Sequence, residues 1–177
     1  MNARQHESVT LPDGILIRPA STHDVRGIRK LIDAYVEEGR IVRKPLVELF
    51  EAVQEFLVAE ADGEIVACGA LHVMWEDLGE IRTMAVAADH LHKGLGGIIL
   101  EMLIDRARSI GLSRLFCLTF ETVFFARHGF QPIAEAPVSS QVYEALLESR
   151  DEGVAEMLGL ERVKPNTLGN TRMLRFI

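Results

Sequence analysis

The spacing of apolar positions changes several times along the chain, and each change marks an element. Residues 14–19, Gly-Ile-Leu-Ile-Arg-Pro, form a short apolar run that reads as a strand. Ser21, Thr22, His23 and Asp24 then offer N-cap side chains for a helix, in which Val25, Ile28, Leu31, Ile32 and Tyr35 recur at helical spacing until Gly39. Pro45 suits the first turn of a second helix with Leu46, Leu49, Phe50 and Val53 as its inward stripe. Phe56–Ala61 and Glu64–Val73 are strand-like runs joined by the turn dipeptide Asp62-Gly63, which predicts an antiparallel hairpin.

A third strand over residues 79–86 runs into the loop His92-Lys93-Gly94-Leu95-Gly96-Gly97 and a helix over residues 95–110 closed by Gly111. Residues 113–119 form the next strand. A strand, helix and strand of this length make a right-handed crossover, so those two strands are expected to lie parallel in an otherwise antiparallel sheet. A short helix over residues 122–127 ends at Gly129, a helical stretch covers residues 141–148, and residues 172–177 read as a terminal strand. The expected class is α+β with a mixed, mostly antiparallel sheet.

Composition changes this picture little. A chain of 177 residues that is 48% hydrophobic suits one domain over residues 1–177, with residues 1–13 as a flexible tail. No apolar run approaches the roughly 18 residues that span a bilayer, and the polar N-terminus lacks a signal-peptide stretch, so a cytoplasmic protein is expected. The net charge of -7 repels nucleic acid, acidic membranes and anionic cofactors. An anion site must therefore be built locally, from helix N-terminal amides and placed cations. Cys68 and Cys117 sit in apolar runs without metal or disulfide spacing and read as buried thiols, an acyl relay through Cys117 being the remote alternative. His90 and His92 lack a third ligand, so no metal is expected. Met74 and Trp75 are expected to cover a substrate cleft or the core.

Gly94 and Gly96 stand where a strand hands over to a helix, and glycine there lets main-chain amides approach a bulky anion such as a phosphate. The Walker loop would end in Gly-Lys-Ser/Thr and the dinucleotide loop would need glycine at Ile99; both forms fail. On the loop alone, a glycine-rich turn without a ligand stays open. Its context resembles the GNAT superfamily of acyl-CoA transferases. Met84-Ala85-Val86 followed by Leu91-His92-Lys93-Gly94-Leu95-Gly96 is similar to the family's strand and its Q/R-x-x-G-x-G/A loop, with Leu91 in place of Gln or Arg. Phe124-Phe125-Ala126-Arg127-His128-Gly129-Phe130 resembles its F-Y-x-x-x-G-F segment, with Phe125 where many members carry tyrosine. The resemblance runs from Ile15 to Phe130. It implies a GNAT fold with helices on both faces and acetyl-CoA bound in a cleft at the parallel strand pair. The cofactor residues implied are Met84, Ala85, Val86, Leu91 to Gly97, Phe124, Phe125 and Arg127. Because the missing tyrosine often protonates the departing thiolate, another donor is implied as well.

Residues 79–86, residues 113–119 with Arg127-His128-Gly129-Phe130, and the tail over residues 164–174 narrow the resemblance to the N-acetylglutamate synthases of arginine biosynthesis, in their short bacterial form. This implies acetyl transfer to the α-amino group of L-glutamate. Glu80 falls at the family's base, Thr119 at a serine that assists thiolate departure, and the Met84 or Ala85 amide serves the oxyanion. Such an amine, with a reference pKa of about 7.7–8.0, requires a base, and two carboxylates require at least two cationic or amide anchors. Lys44, beside Arg43, falls at a carboxylate-binding arginine of the synthases. Arg82, two residues after Glu80, is expected on the same strand face. The tail, within a substrate-side segment over residues 136–177, has Gly169 where the synthases use an arginine and Thr171 at a nearby serine; Lys164, Asn170 and Arg172 are the candidate replacements. Plainer roles stay open: a surface carboxylate at Glu80, a backbone-bonded hydroxyl at Thr119, solvated cations elsewhere. The expected partner is a small molecule, L-glutamate or a related amino acid. Acceptors such as glutamine, aspartate or a protein N-terminus stay open, as do a non-catalytic acyl-CoA sensor and a homodimer.

Overall fold

In the computed structural model, which describes residues 8–160 and 169–177, the sheet is mixed, and the chain divides into two compact units. Of the described residues, the first holds 8–72 and 81–111, the second 73–80, 112–160 and 169–177. The first unit comprises β1 (Val9–Thr10), β2 (Leu16–Pro19), α1 (Val25–Glu37), α2 (Leu46–Glu51), β3 (Phe56–Ala61), most of β4 (Glu64–Val73), the later part of β5 (Leu78–Val86) and α3 (Leu95–Ser109). Its strands are ordered β1-β2-β3-β4-β5, and β1 through β4 pair antiparallel. Val9–Thr10 is thus a strand paired with Leu16 and Ile17, where the sequence suggests a tail.

Helices cover both faces of this sheet. Val25, Ile28, Leu31 and Ile32 of α1, with Leu49 and Val53, pack on Phe56 and Val58 of β3, Cys68 and Ala70 of β4, and Ala85 of β5. Gly69, between two of those residues, points to the other face, where Met84, Ile99 and Leu103 lie close to it. Phe50, expected in the inward stripe, is 37% exposed, because α2 is only six residues long and presents Leu49 instead.

Arg18 joins three elements of this unit. Its guanidinium reaches Asp24 Oδ1 and Oδ2 at 2.9 and 2.8 Å and Glu60 Oε2 at 2.6 Å, while Asp24 also accepts the Ser21 N–H at 2.7 Å. Asp24 therefore caps the turn before α1 and ties it to β2 and β3. The Arg18 hydrogen bonds, partly opposed by burial, lower its carboxyl to about 2.

The second unit holds the start of β5, then β6 (Arg114–Thr119), α4 (Thr122–Arg127), β7 (Gln131–Pro132), α5 (Ser140–Leu146), α6 (Glu152–Leu158) and β8 (Thr171–Phe176), with strand order β5-β6-β8-β7. The expected parallel pair is present: Leu78, Gly79 and Glu80 lie opposite Arg114, Leu115 and Phe116. Met74, Leu78, Phe116, Leu146, Val154, Met157 and Leu174 form one core cluster, so Met74 is a core residue, and half-buried Trp75 packs against it. α6 has no counterpart among the sequence expectations, because its seven residues hold barely two turns and Gly153 weakens the helical signal. Its boundaries were nevertheless written locally. The Asp151 side chain accepts the Val154 N–H at 3.1 Å, and Gly159 closes the helix at φ 71. Among the described residues, no helix is long and apolar enough to cross a membrane.

The depressed Asp24 carboxyl contributes stability above its ordinary range that is lost as pH falls through about 2. Asp24→Asn is expected to lower unfolding free energy at pH 7 by about 1–2 kcal/mol. Urea unfolding of the two proteins should show the gap narrowing as pH falls from about 4 toward 2.

Candidate functional site

After β5, a 3-10 turn over Ala88–His90 leads to two left-handed residues, His92 (φ 65) and Gly94 (φ 79). They swing the backbone into α3, with Gly94 as N-cap. No side chain caps this end, so the first-turn amides of Leu95, Gly96 and Gly97 have no side-chain acceptor. An added Cβ on Gly94 would meet nothing within 4 Å, so glycine is required there by its φ and not by crowding. Leu95, 1% exposed, anchors the turn, whereas Leu91, His92 and Lys93 are exposed. An uncapped N-terminus on a 15-residue helix, with glycines along its first turn, fits an anionic group such as a pyrophosphate. Among the described residues, no group of three or more His, Cys, Asp or Glu converges on a metal position.

Upstream, β5 turns over. Thr83 has φ 57, a left-handed conformation that is rare for a β-branched residue. Strand alternation would put Arg82 and Met84 on one face. Instead, Arg82 Nη2 donates to Glu55 Oε2 at 2.9 Å on the α2 side, while the Met84 sulfur lies against Gly69 on the α3 side. Glu55 Oε1 also meets His72 Nδ1 at 2.7 Å. Burial raises the Glu55 carboxyl, but His72 and Arg82 together outweigh it and hold it below its ordinary range. Arg82, expected as an anchor for substrate, is thus an ion-pair partner of Glu55, only 12% exposed. Further along β5, the Val86 carbonyl accepts the Tyr35 hydroxyl at 2.6 Å, and the Ala85 amide faces the Cys68 sulfur.

Glu80 stands near the other end of β5, within the second unit. It is 5% exposed, and its carboxylate lies against Gly153 of α6, so a surface role is excluded. Cys117 on β6 is pushed well above the ordinary thiol range by burial and by the charge of Glu80, and burial raises Cys68 to about 12. Both stay thiols near neutral pH, which removes the acyl relay through Cys117. The Thr119 hydroxyl accepts the Glu121 N–H at 2.8 Å, leaving its own proton to donate, and Thr119 lies opposite Thr171 on β8.

The remaining expected residues differ in setting. Arg172 Nη2 donates to the Glu156 carbonyl at 3.0 Å. Asn170 Oδ1 is buried with no hydrogen-bond partner among the described residues. Arg43 is exposed, and Lys44 is half-buried with its carbonyl accepting Arg29 at 3.0 Å. Lys164 lies outside the described residues. In α4, Phe125 is 4% exposed and packs edge-on to Phe124 and Phe130, which makes it a core residue; Phe124 is half-buried and Arg127 exposed. Gly153 and Glu156 were missed by periodicity, although Asp151 and Gly159 bracket their helix.

Comparison with known proteins adds an independent line. The model of the acetyltransferase (GNAT) family matches residues 27–130. An amino-acid acetyltransferase of Mycobacterium tuberculosis is 52% identical over 163 residues, 90% of this chain and 92% of its own length. An amino-acid acetyltransferase of Azotobacter vinelandii is 40% identical over 66% of this chain, which spans only 27% of that longer relative. Among solved structures, a Mycobacterium tuberculosis protein in complex with CoA matches with TM-score 0.87 at 51% identity, covering 91% of this chain and 98% of that one. N-acetylglutamate synthase from Neisseria gonorrhoeae, complexed with coenzyme A and N-acetyl-glutamate, matches with TM-score 0.71 at 28% identity over 92% of this chain and 35% of that one. On the family match and on a relative similar over nearly its whole length, the chain belongs to the GNAT family of acetyltransferases.

Proposed function

We propose that this acetyl-CoA-dependent acetyltransferase acts on the α-amino group of L-glutamate, giving N-acetylglutamate, the first step of arginine biosynthesis. The observation that carries the reading is the buried carboxylate of Glu80 on the same strand whose far end leads into the uncapped loop of α3. The synthase neighbour with bound N-acetyl-glutamate supports the acceptor. The family match takes in residues of both units, which supports one GNAT domain built from the two.

The chemistry follows from the residues. Glu80 takes a proton from the substrate ammonium, and the freed nitrogen pair attacks the thioester carbonyl. As the C–N bond forms, the carbonyl electrons move onto oxygen, to which the Met84 N–H donates. Met84 is preferred to Ala85, whose amide faces Cys68. The C–S bond then breaks; the second nitrogen proton leaves with the thiolate, toward which the Thr119 hydroxyl is the hydrogen-bond donor. The amides of Leu95, Gly96 and Gly97 hold the pyrophosphate, with Lys93 as a nearby cation. The tail residues Asn170, Thr171 and Arg172 anchor the acceptor within the second unit, and Lys44 keeps the carboxylate-binding role that the resemblance implies for it.

One observation favours glutamine as a second reading. The buried Asn170 Oδ1 is an acceptor, and a glutamine side-chain amide supplies the N–H donor that a carboxylate lacks.

Glu80→Gln is expected to bind CoA like the parent by calorimetry while losing turnover about 100-fold at pH 7; an unchanged rate would place the base elsewhere. Acetyl-CoA consumption measured across glutamate, glutamine, aspartate and neutral amines should favour acceptors with a polar side-chain terminus, and equal rates with neutral amines would sink the acceptor site. Gly94→Ala forces a side chain into left-handed backbone at about 1–2 kcal/mol. A lower Tm and a raised KM for acetyl-CoA are expected from it; an unmoved KM would detach the loop from the cofactor.

A further inference from the structure

Glu80 lies beneath α6, and two residues of that helix meet it in different ways. At Gly153, a Cβ would stand 2.9 Å from both Cδ and Oε1 of Glu80, and closer still to Oε2. The carboxylate therefore rests on a bare Cα. Glycine in the first turn of so short a helix weakens it, since only proline forms helix less readily. The room it gives Glu80 is a reason for that cost.

Glu156 follows Gly153 by three residues, which puts both on one helix face. Arg172 holds the Glu156 main-chain carbonyl, fixing this turn of α6 to β8. Among the described residues, the charged groups around the Glu156 side chain are Glu80 on β5, Glu152 and Asp151 at the start of its own helix, and Arg172 on β8. Burial, then Glu80, Glu152 and Asp151, outweigh Arg172 and push the Glu156 carboxyl up to about 7.

We propose that Gly153 and Glu156 are positioning residues for Glu80: Gly153 seats its carboxylate, and Glu156, on the same helix face, is the second carboxyl whose charge acts on it. The inference rests on the reading of Glu80 as the base. Below neutral pH, Glu156 is neutral and adds no charge beside Glu80. As pH rises and Glu156 ionises, a second negative charge beside Glu80 strengthens its hold on the proton it takes from the ammonium. The base thus gains strength over the range in which the acceptor amine begins to deprotonate. Glu80 keeps the proton until water removes it, so no further reactant enters.

The same arrangement has a stability signature. A carboxyl whose folded value is raised contributes stability below its ordinary range, and that contribution is lost as pH rises through about 7. Glu156→Gln escapes the loss, so its Tm should exceed that of the parent at pH 8 and converge with it toward pH 4; equal melting at pH 8 would count against a raised Glu156.

Two further measurements test the proposal on the full chain. Carboxyl carbon NMR of glutamate-labelled protein should show Glu156 titrating near 7 in the parent and lower in Glu80→Gln. An unmoved Glu156 titration overturns the pairing while leaving Glu80 its role. Conversely, full turnover in Glu80→Gln removes the base, and with it the catalytic sense of the pair. In Gly153→Ala, kcat should fall about tenfold or more, with acetyl-CoA affinity and Tm nearly unchanged. Adding Glu80→Asp, one methylene shorter, should recover part of that rate although Glu80→Asp alone is slower than the parent. Parent-like kcat in a folded Gly153→Ala overturns the seat, and if that variant fails to fold, the Glu156 titration decides alone.

Discussion

The left-handed backbone at Thr83 is the constraint on which the loop side of this protein depends. A β-branched residue at φ 57 is strained, at a cost of about 1–3 kcal/mol, and persists only where its surroundings over-determine it. Those surroundings are present in the first unit. Glu55 holds Arg82 on one face, Gly69 admits the Met84 side chain on the other, the Cys68 thiol donates to the Thr83 carbonyl at 3.4 Å, and Tyr35 holds the Val86 carbonyl. Without the reversal, Met84 and Arg82 would compete for one face. With it, β5 enters the glycine loop with a backbone direction fixed by packing on both sides.

Charge is managed locally in a chain whose net charge is -7. The loop needs no positive field from the whole protein, because the N–H groups of an uncapped helix start supply partial charge at short range. The second unit works with the opposite sign. Glu80, Glu152, Asp151 and Glu156 gather around one turn of α6 with Arg172 as the opposing cation. Such a setting raises the proton affinity of carboxyls there. The buried cysteines stay out of this charge pattern: raised far above neutral pH, they pack as neutral thiols.

Much of the architecture was legible residue by residue. The α1 stripe, the Asp62-Gly63 hairpin, the crossover through α3 and the parallel pair follow from patterns a few residues long. The misreadings share a cause. Val9–Thr10 has too few residues to show alternation, and Phe50 follows helical spacing but belongs to a helix too short to bury it. α6 carries a glycine that local propensity counts against a helix, and the reason for that glycine is the carboxylate of another element. Arg82 alternates with Glu80 along the strand, and its guanidinium meets Glu55, 27 residues earlier, a partner that no local pattern announces.

By itself, the sequence determined the order of the longer elements, the absence of disulfide or metal spacing, the glycine handover into α3 and the carboxylate at Glu80, because each depends on local periodicity, turn chemistry or residue type. Only the tertiary structure decided what those groups face: that Glu80 is buried on Gly153, that Arg82 is paired with Glu55, that Phe125 is core, and that Glu156 titrates near neutrality. The physical reason is that burial and charge are properties of neighbours, and the neighbours of these groups come from elements distant in the chain.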